Sequence, residues 1–183
     1  MNRMMYRGGG RGEQIAGGPL GQARYALAMG QPERAEAICL KRLEKNPDDV
    51  SARVLLAQAL LQQHQIDDAI AEARRATEQQ STSTDAQLVL SSALLQKSGP
   101  MGRIPPDAER AARRAVQLQP KAAKTHVQLA EVLASTRDLS GARAEAEEAC
   151  RLEPRLAGAH LMRAVVLLSS KDPQGALEAA NAA

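Results

Sequence analysis

Apolar residues recur along this chain at every third or fourth position in short runs, and turn-forming polar residues separate the runs. The segment from Ala123 to Pro154 shows the arrangement best. Val127, Leu129 and Leu133 flank Ala130 at helical spacing, Arg137-Asp138 interrupts them, and Ala142, Ala146 and Ala149 then descend one face until Pro154. A period near 3.6 in both runs predicts two helices joined by a tight turn. Moved by 34 residues, the same pattern returns.

Four ladders carry the repeat. In the second helices Ala35, Ala69, Ala108, Ala142 and Ala176 stand 34, 34, 39 and 34 residues apart. In the first helices Ala23, Ala57, Ser91, Ala130 and Ala164 keep the same steps with small residues only, beside Ala26, Leu60, Leu94, Leu133 and Leu167. A fourth ladder is Cys39, Ala73, Ala112, Ala146 and Ala180, and the units close on Pro47, Ser81, Pro120 and Pro154. The one long step adds five residues, which fall in the turn Ser98–Pro106. Two helices on a short turn cannot bury their apolar faces alone, so pairs of this kind stack. Alanine at the closest crossings lets backbones approach while Leu and Val fill the spaces beside them. Pro32, Pro105 and Pro173 share a register at the entry to the second helix, where a missing N–H costs nothing. Second helices are expected near Pro32–Lys45, Asp67–Gln79, Pro106–Gln119, Ser140–Leu152 and from Pro173 onward.

A 34-residue helix–turn–helix unit with small residues at its close-packing positions and a closing proline resembles the tetratricopeptide repeat. The resemblance covers Ala16 to Ala183 and implies an all-α, right-handed solenoid of about five repeats. These divide at about 16–49, 50–83, 84–122, 123–156 and 157–183, the last incomplete, after a flexible Gly/Arg-rich arm over 1–15. The sequence departs from the family where large aromatics are usual: Pro19, Arg53, Gln87, His126 and His160 stand there, or alanines. Arg42 replaces a small residue in the first unit, and Ser81 replaces the proline of the second.

Composition narrows the chemistry. With no Phe or Trp and two Tyr, the core must come from Ala, Leu, Val and Ile, which predicts moderate stability. The net charge is +3, of which Met1–Glu13 holds +2 and Lys97–Arg114 holds +3, leaving −2 for the remainder. Nucleic-acid binding asks for a concentrated basic footprint and stacking aromatics, so no nucleic-acid partner is expected. Gly8-Gly9-Gly10 lacks the Lys-Ser/Thr and the preceding strand of a phosphate loop. The arm reads as a solvated tail, the alternative being a basic segment that orders on a partner or an anionic membrane surface. No run is apolar enough to span a membrane and no secretory leader is evident, which makes the cytoplasm the expected location. Cys39 and Cys150 lie in different second helices and read as buried free thiols.

Catalysis finds no constellation. His126 and His160 are 34 apart because the repeat makes them so, and no third ligand or base accompanies them. No enzyme, cofactor or metal site is expected, and the acidic run Glu145–Glu148 reads as a solvated helix face. The resemblance implies that first helices line an inner, concave wall. On that wall stand Leu20, Val54, Leu88, Val127 and Leu161, then Leu27, Leu61, Leu95, Ala134 and Leu168 two turns along. Between them lie Arg24, Gln58, Ser92, Glu131 and Val165. The plainer reading of the apolar stripes is packing between repeats; the functional one is a groove for an extended or helical peptide of another protein. Val54, Gln58, Asp85 and Lys124 do not supply the carboxylate clamp that some arrays use for acidic tails, and no asparagine ladder is present. The expected role is a non-catalytic scaffold or assembly factor. The alternative is a structural subunit held permanently in a larger complex by its basic arm and its last repeat.

Overall fold

The computed structural model describes residues 18–99 and 102–182, and these contain ten helices and no strand. In order they are α1 (Gly18–Ala28), α2 (Pro32–Lys45), α3 (Val50–Gln62), α4 (Ile66–Gln79), α5 (Thr84–Ser98), α6 (Pro106–Leu118), α7 (Ala123–Ser135), α8 (Leu139–Leu152), α9 (Ala157–Ser169) and α10 (Pro173–Asn181). Each odd helix packs on the even helix after it, and each even helix packs on the next odd one. The arm over 1–15 lies outside the described residues.

Local chemistry sets each boundary. Pro32 and Pro173 begin α2 and α10. Pro105 caps α6 while Pro106 begins it, one residue later than the repeat register would place it. Asp49 and Ser83 cap α3 and α5 by accepting from the amides of Ala52 and Ala86, and Asp138 and Asp172 do the same for Gly141 and Gly175. The turns inside four pairs share one form. Gly30, His64, Arg137 and Lys171 take positive φ (66°, 59°, 70° and 63°). The next amide, of Gln31, Gln65, Asp138 or Asp172, then donates back to Ala26, Leu60, Leu133 or Leu167, each at 2.9 Å. This is the six-to-one closure of a left-handed helix end, used here three times out of four without glycine. The third pair differs. Part of its five-residue surplus goes into α5, which runs two residues past the length of α3 before Gly99 turns the chain at φ 62°.

The alanine ladders form the seams. Ala23, Ala57, Ser91 and Ala130 are wholly buried, as are Ala35, Ala69, Ala108 and Ala142. The two ladders meet where paired helices cross, and there the Ser91 hydroxyl donates to the Ala108 carbonyl at 2.9 Å. That bond requires the α5 and α6 backbones to lie almost in contact, which is why only small residues occupy the rungs. Cys39, Ala73, Ala112 and Ala146 are covered by the following pair, whereas Ala180 is exposed. Odd helices also touch the next odd helix, while no even helix packs on the next even one. The odd helices therefore converge and the even ones splay, so the odd helices form the inner wall of a curve.

Candidate interaction surface

An odd helix in the middle of the array has its own even partner, the pair before it and the pair after it. What remains is a narrow open sector facing the trough. The row Arg24, Gln58, Ser92, Glu131 and Val165 lies in that sector: Arg24, Glu131 and Val165 are exposed and Gln58 and Ser92 half-buried. The apolar rows on either side behave differently. Val54 and Leu61 are buried, Leu20, Leu27, Leu95, Val127 and Ala134 are partly buried and packed on the core, and Leu88 is half-buried. Only in the last pair do these rows stand bare, with Leu161 53% and Leu168 59% exposed. The apolar stripes thus serve packing in the first four pairs, and the accessible wall is the polar row between them.

Two hollows open on this wall. One of about 370 Å³ lies across α1, α3 and the start of α5, with Arg24, Ser51, Gln58 and Asp85 around a floor of Val54 and Leu55. The other, about 380 Å³, lies between α7 and α9 and is bounded by Ile104, Glu131, Ala134, Met162, Val165 and, at its rim, Arg137. Burial by the surrounding walls raises the Glu131 carboxyl above its ordinary range. The side chain is itself exposed, so water still reaches it and limits the effect. Across the wall Lys124 holds Asp85 at 2.7 Å, so the lysine is already engaged by a carboxylate.

Four of the five residues standing where family aromatics are usual, all but Pro19, share one task. The Arg53 guanidinium donates to the Pro47 carbonyl at 2.7 Å and the Gln87 amide to Ser81 at 3.4 Å. His126 Nε2 meets the Pro120 carbonyl and His160 Nε2 the Pro154 carbonyl, both at 2.9 Å. In each case a side-chain N–H crosses the junction to a carbonyl six residues back, in the turn leading into its own helix. His126 Nδ1 also meets Glu145 Oε2 at 2.6 Å. Both histidines are buried and committed to latching these turns. The sequence held a signal for this row, a donor-bearing residue six places after every closing position, but the three residue types share nothing except an N–H.

The remaining candidate chemistry is quiet. Among the described residues no group of three His, Cys, Asp or Glu side chains is placed to hold a metal. Burial first, and then the charge of Asp49, pushes the Cys39 thiol up to about 11. Burial likewise raises Cys150, whose sulfur lies 3.8 Å from His160 Nδ1. In the basic segment Lys97 pairs with Asp67 at 2.8 Å, Arg113 with Glu109 at 2.8 Å, and Arg110 with Asp107. No helix among the described residues is long and apolar enough to cross a membrane.

Stacked helical hairpins with alanine seams and a trough lined by first helices define a repeat scaffold of the interaction type. Comparison with known proteins places it more closely. Two family profiles, both described as tetratricopeptide repeat, match residues 26–96 and residues 101–157 with 128–183. The chain belongs to the tetratricopeptide repeat (TPR) family. Among solved structures, a thermophilic TPR protein of Thermus thermophilus superposes with a TM-score of 0.79 at 22% identity, covering 88% of this chain and 86% of that one. MamA residues 41 to the end from Desulfovibrio magneticus RS-1 give 0.68 at 15% identity, over 93% of this chain and 92% of that one. YrrB, described as a TPR protein with an unusual peptide-binding site, gives 0.62 at 19% identity, over 93% and 85%. At these identities the likeness establishes the fold. No curated protein sequence matches the chain.

Proposed function

We propose that this protein is a non-catalytic interaction scaffold that holds a peptide segment or helix of another protein in its trough. The observation carrying this reading is the open row Arg24, Gln58, Ser92, Glu131 and Val165, set between two hollows on a wall whose other faces are consumed by packing. The likeness to YrrB, a TPR protein with a peptide-binding site, supports it. The test places a photo-crosslinking residue at Gln58 or Ser92 and, as control, at Arg75 on the convex side. Partner proteins crosslinked from the trough positions and not from Arg75 bear out the reading; crosslinks from Arg75 alone refute it.

A second reading has its own observation. Leu161, Leu168 and Leu177 are 53%, 59% and 63% exposed, and the first two occupy rows that earlier pairs cover with the next hairpin. A partner seated there would hold the protein as a permanent subunit. On this reading Leu168→Lys with Leu177→Lys abolishes association while leaving crosslinking from Gln58 intact.

A further inference from the structure

Arg24 and Glu131 occupy the same register position on α1 and α7 within the open row. They are its only charged members, they are opposite in sign, and neither side chain has an ionic partner among the described residues. Elsewhere on the wall Lys124 is matched with Asp85 at 2.7 Å, and Arg137 also lines the Glu131 hollow without forming an ion pair with Glu131. Between Arg24 and Glu131 the row holds only neutral Gln58 and Ser92. Packed helices sit about 8–10 Å apart, so three steps from α1 to α7 separate the two groups by roughly 25–30 Å. An extended chain covers that span in about seven to nine residues at 3.3–3.6 Å each.

We propose that the trough takes an extended segment of a partner protein bearing a carboxylate side chain at Arg24, a lysine or arginine about seven to nine residues away at Glu131, and an apolar residue beyond it on Val165. This deepens the trough reading and rests on it. The floor of each hollow suits such a ligand. The aliphatic stem of a lysine or arginine lies on Ala134, Met162 and Val165 while its cationic head reaches Glu131. The opposite hollow sets Val54 and Leu55 beside Arg24 for the shorter stem of an acidic residue. An extended segment is favoured over a helix because Gln58 and Ser92 present side-chain donors and acceptors midway. A helix has already satisfied its own backbone, whereas an extended chain has free N–H and C=O groups to pair with them.

The test selects displayed random twelve-residue peptides on the full chain, on Glu131→Gln, and on the double swap Arg24→Glu with Glu131→Lys. Recovered peptides are then measured by fluorescence polarisation at low and high salt. Peptides selected on the native chain are expected to carry an acidic and a basic residue seven to nine positions apart and to weaken at high salt. Glu131→Gln is expected to loosen them roughly fivefold, the scale of one exposed ion pair. The double swap is expected to select peptides with the two charges exchanged. Both side chains are exposed, and unchanged helicity by circular dichroism confirms that the variants fold; Glu131→Gln, nearly isosteric, carries the test should the swap misfold. Peptides that Gln58→Trp displaces but that show no charge pairing, or that ignore Glu131→Gln, overturn this inference and leave the trough reading standing. Peptides indifferent to Gln58→Trp, or no binders at all, overturn both.

Discussion

The latch across each junction gives the sharpest test of how these alanine-rich pairs hold together. His126→Ala removes a buried ring that bonds the Pro120 carbonyl at 2.9 Å and Glu145 at 2.6 Å. Three losses follow. A carbonyl left without its partner costs about 1–3 kcal/mol when sealed from water, but Pro120 is exposed, so water can replace the donor and the lower end applies. Glu145, whose side chain is 27% exposed, also recovers hydration, which makes the lost hydrogen bond worth about 1 kcal/mol or less. Truncating the ring leaves a small void in a well-packed seam, worth about 1 kcal/mol more. The sum for His126→Ala is about 2–3 kcal/mol. His126→Gln restores an amide donor of the kind Gln87 supplies to Ser81, and it refills most of the space, so its cost is about 1 kcal/mol. Urea unfolding followed by circular dichroism at 222 nm measures both. Because neighbour coupling rather than a single core stabilises a repeat array, amide exchange in α7 and α8 should accompany it. Equal destabilisation by alanine and glutamine, within about 0.5 kcal/mol, would show that the turn carbonyl contributes nothing and that only the ring's bulk matters.

Three further outcomes are expected. Cys39, with its thiol raised from 9.0 to about 11, holds about a hundredfold less thiolate than an ordinary cysteine near pH 8, so native labelling by a thiol reagent should be slower by at least that factor and recover in urea. The Asp49 carboxyl is pushed up by burial but pulled further down by hydrogen bonds from Arg42 (2.8 Å) and the Ala52 amide (3.0 Å), so its net shift is downward. Its contribution is therefore complete above the unfolded-state value and disappears as pH falls through the lower folded value. Asp49→Asn should cost about 1 kcal/mol at pH 7, a gap that closes in acid denaturation curves as that range is crossed. Lys171→Gly relieves a positive-φ lysine, strain of about 1–2 kcal/mol against about 0.5–1 kcal/mol of added chain freedom, so thermal unfolding should move upward slightly and not downward.

The seams were legible because their physics leaves few choices. Where two helix backbones nearly touch, only Ala, Ser or Gly fits, and ladders of five small rungs that all share the steps 34, 34, 39 and 34 cannot arise from surface composition. The turns were partly legible. Prolines marked the entries to α2 and α10, but nothing in the sequence said that the surplus after Ser98 would begin as two more helical residues. His64, Arg137 and Lys171 were opaque as left-handed positions, since only Gly30 carries the residue that such a turn favours. The apolar stripes misled in a definite way. Leu61 and Leu168 have the same register and the same chemistry, yet one is 9% exposed and the other 59%. Periodicity reports which face of a helix is apolar, but it does not report whether a further hairpin lies on that face. A glutamate at Leu61 would therefore unfold its pair and say nothing about binding, whereas one at Leu168 should leave helicity intact.

The same geometry explains where an interaction site in such an array must be sought. Each odd helix gives one flank to its own partner, one to the preceding pair and one to the following pair. The sector left over holds about one residue in every four along the helix, and the row from Arg24 to Val165 is its centre. Those residues are exposed or at most half-buried, so the fold dictates little of what they are. Their sequence of cation, amide, hydroxyl, carboxylate and aliphatic group is free of the repeat while their positions obey it. Departure from the repeat at a position the repeat leaves open is what a ligand would impose, and it becomes visible only once burial has separated those five residues from the apolar rows beside them.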